Sequence, residues 1–472
     1  MSYLARYKNL NTAQRQAVDT TQGPVMVIAG PGTGKTELLS MRAANILRQS
    51  DVLPDNILCL TFTESGASAM RQRLASIIGA DAYRVAIHTF HSFGTEVINQ
   101  NGEFFYHGAQ FRPADELSSY ELLRTIFDGL DHKNPLASQM NGEYTHLGDI
   151  LTIISELKRA GLTGDELRAV LDANDAAIQE IQPALTVAFA NRLSKKAVEH
   201  LVPIVGQARS LATTQPIATI TPFSTILADS LDQAIQASLD DNSTKPLTSW
   251  RNQWMKKNET GDFILKANER DAKLRAAAAI YDKYLLAMHE AALYDFDDMI
   301  LRVVHAMEIF PELKYNLQER YQYIMVDEFQ DTNMAQMRIL FSLTDNPVNN
   351  GKPNIMVVGD DDQAIYSFQG ADVGNIHAFR STFPDTSLIV LTDNYRSAPD
   401  VLSYARSVII QGKDRLEAID VDLNKTLKAF QSKTNDTVSL TELPTRHDEH
   451  RNLVERIKAQ IGEGQSPASI AV

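Results

Sequence analysis

Cysteine is almost missing: among 472 residues the single thiol is Cys59, set in the apolar run Ile57-Leu58-Cys59-Leu60. One thiol excludes a disulfide framework and a cysteine-built zinc site within the chain, and its neighbours mark it as a small buried hydrophobe. Long hydrophobic runs are missing too. No stretch reaches the roughly 18 apolar residues that a membrane span needs, and Met1 to Val18 lacks the apolar core of a signal peptide. A cytoplasmic location without membrane attachment is the resulting expectation. Basic residues are outnumbered, 45 Lys and Arg against 59 Asp and Glu, which leaves a formal net charge of −14. That balance argues against attraction to a polyanion over the whole surface. A local basic groove on an acidic body stays compatible with it, because whole-chain charge does not set the local field.

What is present is ordinary globular material, 44% hydrophobic and 22% charged, long enough for two to four domains. Short apolar, β-rich runs occur at Val25 to Ala29, Ile57 to Phe62, Val85 to Thr89, Tyr323 to Val326, Ile355 to Val358 and Leu388 to Leu391. Near-continuous apolar strands followed by helical patterns predict an α/β fold with a parallel sheet covered on both faces. Three of these runs precede residue 95 and three follow residue 320, so the intervening 200 or so residues are expected to form an inserted, mainly helical domain. Helical periodicity marks Leu151 to Leu157, Ala276 to Leu293 and Ala398 to Ile410, Thr213 to Phe223 reads as loop, and Asp240 to Pro246 as a linker. Both tryptophans, Trp250 and Trp254, stand one helical turn apart and share a face beside Lys256 and Lys257. Core packing and nucleic-acid contact are both open for them. The end, Ser469 to Val472, reads as a strand just starting, with the expectation of a truncated chain.

The strongest chemical signal is Ala29-Gly30-Pro31-Gly32-Thr33-Gly34-Lys35-Thr36, between a strand and a helix. Glycines let backbone N–H groups wrap phosphates, Lys35 supplies a cation to the β and γ phosphates, and Thr36 offers a hydroxyl to magnesium. Ala29 stands where a glycine is usual, which is tolerable at the end of a strand. The apolar run Tyr323-Ile324-Met325-Val326 then ends in Asp327-Glu328. Asp327 is suited to holding magnesium and Glu328 to polarising an attacking water, so a nucleotide with Mg2+ is expected, which the resemblance below makes ATP, and hydrolysis is implied as well as binding.

P-loops serve many enzymes, and the class comes from the remaining motifs. In order, Leu10-Asn11-Thr12-Ala13-Gln14, the P-loop, Thr61-Phe62-Thr63, Thr89-Phe90-His91-Ser92-Phe93, Asp295-Phe296-Asp297-Asp298, Val326 to Thr332, Val358 to Tyr366 and Asn394-Tyr395-Arg396-Ser397 resemble the successive motifs of UvrD/Rep/PcrA-like superfamily-1 DNA helicases. The likeness covers residues 8 to 100 and 290 to 400 well and the middle poorly. It implies a RecA-like ATP-binding domain from 1–105 and 290–385, a helical insert at 106–289, and the start of a second RecA-like domain at 386–472. It further implies that Gln14 reads adenine and Tyr395 stacks on it, that Gln363 senses the γ phosphate, and that Arg396 is an arginine finger. Phe62, Thr63, Thr89, Phe90, His91 and Phe368 match segments that line the single-strand channel, where aromatic faces hold bases. For Phe90 and Phe93 core packing is an equal alternative.

Two departures weaken the expected DNA grip. Glu64 and Ser65 stand where Asn and a basic residue are usual, and Ser367-Phe368-Gln369-Gly370 replaces Arg-Trp-Arg-Gly. The implied activity is ATP-driven translocation on single-stranded DNA with 3′-to-5′ unwinding of tailed duplexes, in repair, recombination or replication restart, with room for a repair or nuclease partner. A helicase-nuclease and a nucleotide-switched DNA-binding protein without motor activity are the alternatives.

Overall fold

The computed structural model describes residues 3–105, 111–190, 197–211, 220–364, 374–412, 415–419, 423–430 and 438–472. It divides into two compact units, Met1–Ala29 with Lys35–Leu391, and Gly30–Gly34 with Thr392–Val472.

The first unit is built on a six-stranded sheet of β1 (Val25–Ala29), β2 (Ile57–Thr61), β3 (Ala86–Thr89), β4 (Tyr323–Val326), β5 (Ile355–Gly359) and β6 (Ser387–Leu391), in the order β6-β1-β5-β4-β2-β3. Every pairing is parallel. All residues of β1, β2, β4 and β5 are buried, which is why these strands read as unbroken apolar runs and not as alternating ones. Cys59 lies in this core, where burial pushes its thiol well above the ordinary range. The register Ile28↔Gly359, Val326↔Leu60 and Thr61↔Thr89 aligns the C-terminal ends of the strands along one edge. Helices α1 (Thr12–Asp19), α2 (Lys35–Gln49), α3 (Glu64–Ile78) and α4 (Phe90–Gln100) belong to the same body. β6 extends this sheet to Leu391, pairing with β1 from Val25↔Ser387 to Ala29↔Leu391.

The middle of the chain is mainly helical, through α5 (Leu147–Arg159), α6 (Gly164–Phe189), α7 (Phe223–Asp240), α8 (Lys245–Trp254) and α9 (Ala267–Glu290), with a small hairpin of Met255–Lys257 and Phe263–Leu265. α6, α7 and α8 enclose a core of their own around Ile181, Leu185, Phe189, Leu231, Leu247 and Trp250. The stretch expected as a linker at Asp240 to Pro246 is a short connection from α7 to α8, held in place because Leu247 is fully buried. Most of the loop expected at Thr213 to Phe223 lies outside the described residues.

The acidic Asp295-Phe296-Asp297-Asp298 motif gains a structural reason here. Asp295 caps α10 (Phe296–Ile309), its side chain accepting from the Asp298 N–H while Asp298 accepts from the Asp295 N–H. The last turns of α5 present Ser155, Lys158 and Arg159 to this helix start, on one face by their spacing. Lys158 Nζ meets Asp295 at 2.5 Å and Asp298 at 2.7 Å with its side chain fully buried, and Ser155 Oγ donates to Asp297. Burial pulls the Lys158 ammonium down, but Asp298 and Asp295 outweigh it and hold it above its ordinary value.

In the second unit, Asp393–Asn394 pairs in parallel with Lys428–Ala429, and helices run over Pro399–Ile409 and Arg446–Gly462. The strand expected at Ser469 to Val472 is not formed: a short 3-10 turn, Pro467–Ser469, precedes Ile470, consistent with proline favouring a turn start over a ladder.

Because Lys158 is the cation shared by buried Asp298 and part-exposed Asp295, Lys158→Met should leave the two carboxylates facing each other without it. A loss of about 3 to 5 kcal/mol is expected, read as a lowered urea midpoint; an unchanged midpoint would mean that the cluster relaxes into water.

Candidate functional site

Several of the candidate side chains gather where the strands of the first unit end, the usual place for sites on open parallel sheets. Lys35 opens α2 and Glu328 follows β4 by two residues; their Nζ and Oε2 atoms lie 2.5 Å apart. Glu328 adopts a left-handed backbone conformation, φ +50° and ψ +46°. For a residue with a Cβ this costs about 1 kcal/mol or more, and such strain concentrates at functional positions. The turn holds it: the Asp331 N–H donates to the Glu328 carbonyl, and the Glu328 N–H donates to Asp327 Oδ1. Asp327 sits at the end of β4, its own N–H donating to the Leu60 carbonyl. Burial, then the neighbouring Glu328, push its carboxyl up to about 6 against the opposing pull of Lys35. Asp331 is likewise raised to about 6, by burial and then by Glu328.

Gln330 links this carboxylate group to β5. Its Nε2 donates to Glu328 Oε2 at 3.0 Å and to Asp331 at 3.2 Å, while its Oε1 accepts from the Asp360 N–H at 3.0 Å. Gly359 permits the approach, since a Cβ there would meet Gln330 Oε1 at 2.8 Å. Asp360 in turn accepts from Gln363 Nε2 at 2.8 Å. One connected path therefore runs from Lys35 through Glu328, Gln330 and Asp360 to Gln363. Gln14 occupies the third position of α1, its side chain accepting from the Asn11 N–H and its N–H donating back to Asn11.

In the second unit the glycine loop is held by the Asn394 segment. Asn394 Nδ2 donates to the Pro31 carbonyl at 2.6 Å, and the Tyr395 N–H donates to the Gly32 carbonyl at 2.9 Å. Asn394 Oδ1 accepts from the N–H groups of Arg396 and Ser397, which fixes the backbone around Arg396. Gly32 has φ +72°, and a Cβ there would lie 2.7 Å from Asn394 and 2.8 Å from Arg396, so no other residue fits. Thr33 Oγ1 closes the loop onto the Gly30 carbonyl, and Tyr395 packs against Phe430 with ring centres 5.1 Å apart.

Fit to a nucleotide and its metal can be tested on these residues. A loop with Gly32 and Gly34 at positive φ offers the N–H nest that phosphates require, and Lys35 already faces a carboxylate, the kind of anion a phosphate replaces. Thr36 in the first turn of α2 and Asp327 at the end of β4 are oxygen donors of the type magnesium takes when phosphates and water complete its shell.

The residues expected to line a strand channel divide. Thr63 is exposed and caps α3, Phe62 is half-buried, and His91 is half-buried with its imidazole lowered by burial against the pull of Asp297. Phe90 is only 3% exposed and Phe93 is fully buried, so core packing describes both and neither presents a stacking face. Thr89 caps α4, and its hydroxyl donates to Glu64 at 2.9 Å. Glu64, expected to weaken the attraction for phosphate, is thus engaged with Thr89. Phe368 lies outside the described residues.

The profile of the UvrD/REP helicase N-terminal domain matches residues 10–384. The chain belongs to the UvrD/REP helicase family. It is similar to an ATP-dependent DNA helicase PcrA of Staphylococcus epidermidis, 26% identical over 468 residues that make up 99% of this chain and 48% of that protein. An ATP-dependent DNA helicase UvrD1 of Mycobacterium tuberculosis is 29% identical over 410 residues, 86% of this chain and 40% of the relative. This UvrD/REP chain spans about half the length of the curated relatives it matches. Gln330 and Asp360 were not singled out from the motifs that contain them; the signal lay in the choice of Gln, an amide able to donate and accept at once, between two acidic strand ends.

Gln330→Leu should remove the acceptor of the buried Asp360 N–H and release Glu328 together. A stability loss of about 1 to 3 kcal/mol is expected, measured by urea unfolding without nucleotide; a neutral effect would mean that the path is dispensable for folding.

Proposed function

We propose that this chain is the ATP-hydrolysing part of a motor that translocates on single-stranded DNA and separates duplexes with 3′-to-5′ polarity. The observation that carries this reading is the hydrogen-bonded path from Lys35 and Glu328 through Gln330 to Asp360 and Gln363. It supports a catalytic carboxylate whose position depends on the neighbouring strand end, as coupling of hydrolysis to movement requires. The names of the relatives support the DNA substrate, and the polarity rests on the family likeness.

ATP with Mg2+ supplies the phosphoryl group that is transferred to water. In the assigned roles, Lys35 moves from Glu328 to the phosphates and neutralises their charge, which frees Glu328 to accept the proton of the attacking water. Thr36 and Asp327 hold the metal, and the N–H groups of Gly30 to Gly34 cradle phosphate oxygens. Gln363 reports the γ phosphate to Gln330 through Asp360. Arg396 neutralises charge in the transition state, while Gln14 and Tyr395 select adenine. Thr63, Phe62, His91 and Thr89 are assigned to the strand, with Glu64 lowering the affinity of that groove for phosphate. The division into a RecA-like domain, a helical insert and a second RecA-like domain belongs to the same proposal, with the last boundary after Leu391.

Glu328→Gln should preserve ATP binding while slowing hydrolysis by about a hundredfold or more, whereas Lys35→Ala should weaken binding and abolish turnover. Steady-state phosphate release, with and without single-stranded DNA, and equilibrium binding of a fluorescent ATP analogue separate the two. Normal turnover in Glu328→Gln would remove the base assignment. Turnover indifferent to DNA would favour a nucleotide-handling role without a track.

A further inference from the structure

Helices α6 to α9 border a cavity of about 500 Å3 that none of the groups at the strand ends reaches. Its apolar wall is made of Leu171, Ile178, Phe223, Trp254, Leu265 and Leu274, with Asn174 and Gln253 as neutral polar groups. Trp254 belongs to an aromatic stack: it lies on Trp250 with ring centres 6.3 Å apart and planes 27° apart, and Trp250 lies on Phe189 at 5.6 Å and 17°. Phe223 meets Trp254 edge-on at 5.9 Å. The two indoles differ in their polar ends. Trp250 is 4% exposed and donates from Nε1 to Ser230 Oγ at 3.0 Å, a satisfied core residue. Trp254 Nε1 is buried and has no hydrogen-bond partner among the described residues, which costs about 1 to 3 kcal/mol if nothing meets it.

The described lining carries three basic side chains and one acid, with Asp175 beside Asp271. From Lys245 to Lys273 there are seven Lys and Arg against four Asp and Glu, in a chain where acids outnumber bases 59 to 45. Exposed Lys266, Arg270 and Lys273 line the cavity itself. Lys266 Nζ donates to the Asn252 carbonyl at 2.6 Å, and Lys273 Nζ stands 3.5 Å from His146 Nε2. Asp271 is the one acid in the described lining, and burial followed by Asp175 pushes its carboxyl up to about 6.

We propose that this cavity is a second DNA site, taking one unpaired base against Trp254 while the adjoining phosphates run over Lys266, Arg270 and Lys273. The proposal rests on the reading of the chain as a DNA-acting ATPase. A slot with an aromatic wall accepts any base, because every base has a π face, and its volume is in the range of small-ligand pockets. The cations meet the backbone charge. An apolar peptide side chain fits the wall equally well but makes no use of the cationic lining, which is why a nucleotide is the better occupant.

Both tryptophans of the chain belong to this stack, so intrinsic emission reports on the cavity. The 472-residue chain is titrated with an end-labelled single-stranded oligonucleotide while tryptophan emission and label anisotropy are followed together. Emission should quench in step with anisotropy, and an abasic strand of the same length should bind about tenfold more weakly without quenching. Leu274→Phe, which fills the cavity from its wall, should remove the quench, with its urea midpoint showing that the fold is kept. Lys273→Ala should weaken binding and lower the salt slope by about 1. Trp254→Phe keeps a stacking face and should retain most of the affinity. Equal binding of normal and abasic strands with unchanged emission overturns the cavity proposal and leaves the DNA reading standing. No anisotropy change with any strand overturns both. Quenching by a phenylalanine-containing peptide but not by the oligonucleotide overturns the proposal in favour of a protein partner.

Discussion

Parallel pairing is the constraint from which the chemistry of the first unit follows. When every strand runs the same way, the residues that come next after β1, β2, β4 and β5 must emerge along one edge, whatever their separation in sequence. About 290 residues lie between Lys35 and Glu328, yet their charged atoms meet because β1 and β4 both flank β5. The same register sets Gln330 beside Asp360, so the carboxylate group after β4 and the turn after β5 share a hydrogen-bonded side chain. Without that edge the motifs would be scattered polar turns.

Strain and burial set the character of this group. Glu328 is held in a left-handed conformation by a tight turn, and Asp327 and Asp331 are both pushed up to about 6 by burial and by Glu328. Three carboxylates stand close together with Lys35 as the cation that opposes their charge. Such an arrangement is poor for stability and well suited to receiving additional positive charge, which is the property a magnesium-nucleotide site needs. The buried Lys158 shows a contrasting case: its ammonium is shared between Asp295 and Asp298, and the group joins α5 to the start of α10.

The helical middle is a body with its own logic. One aromatic stack serves two ends, since Trp250 completes a core while Trp254, four residues on, faces a cavity lined by lysine and arginine. Helical spacing put the two rings on one face but said nothing of what lay beyond each. The difference between core residue and cavity wall depends on α6, α7 and α9, which come from distant parts of the sequence.

The sequence by itself determined much of the site and the class of fold. Unbroken apolar runs at Val25 and Tyr323 announced buried parallel strands, because only a strand covered on both faces can be apolar at every position. The spacing of Gly30, Gly32 and Gly34 before Lys35 announced a tight loop with backbone freedom at fixed places, and Gly32 indeed has no room for a Cβ. Ordered motifs announced the family. Tertiary structure alone decided the rest. Whether Phe90 is a stacking platform or core depends on what packs over it, and it is buried. Whether Glu64 repels a strand or ties down Thr89 depends on β2 and β3 ending side by side. β6 belongs to the first sheet because it pairs with β1, a long-range choice that no local pattern at residue 386 encodes. Local spacing fixes which face a side chain occupies, and only the assembled fold fixes what that face meets.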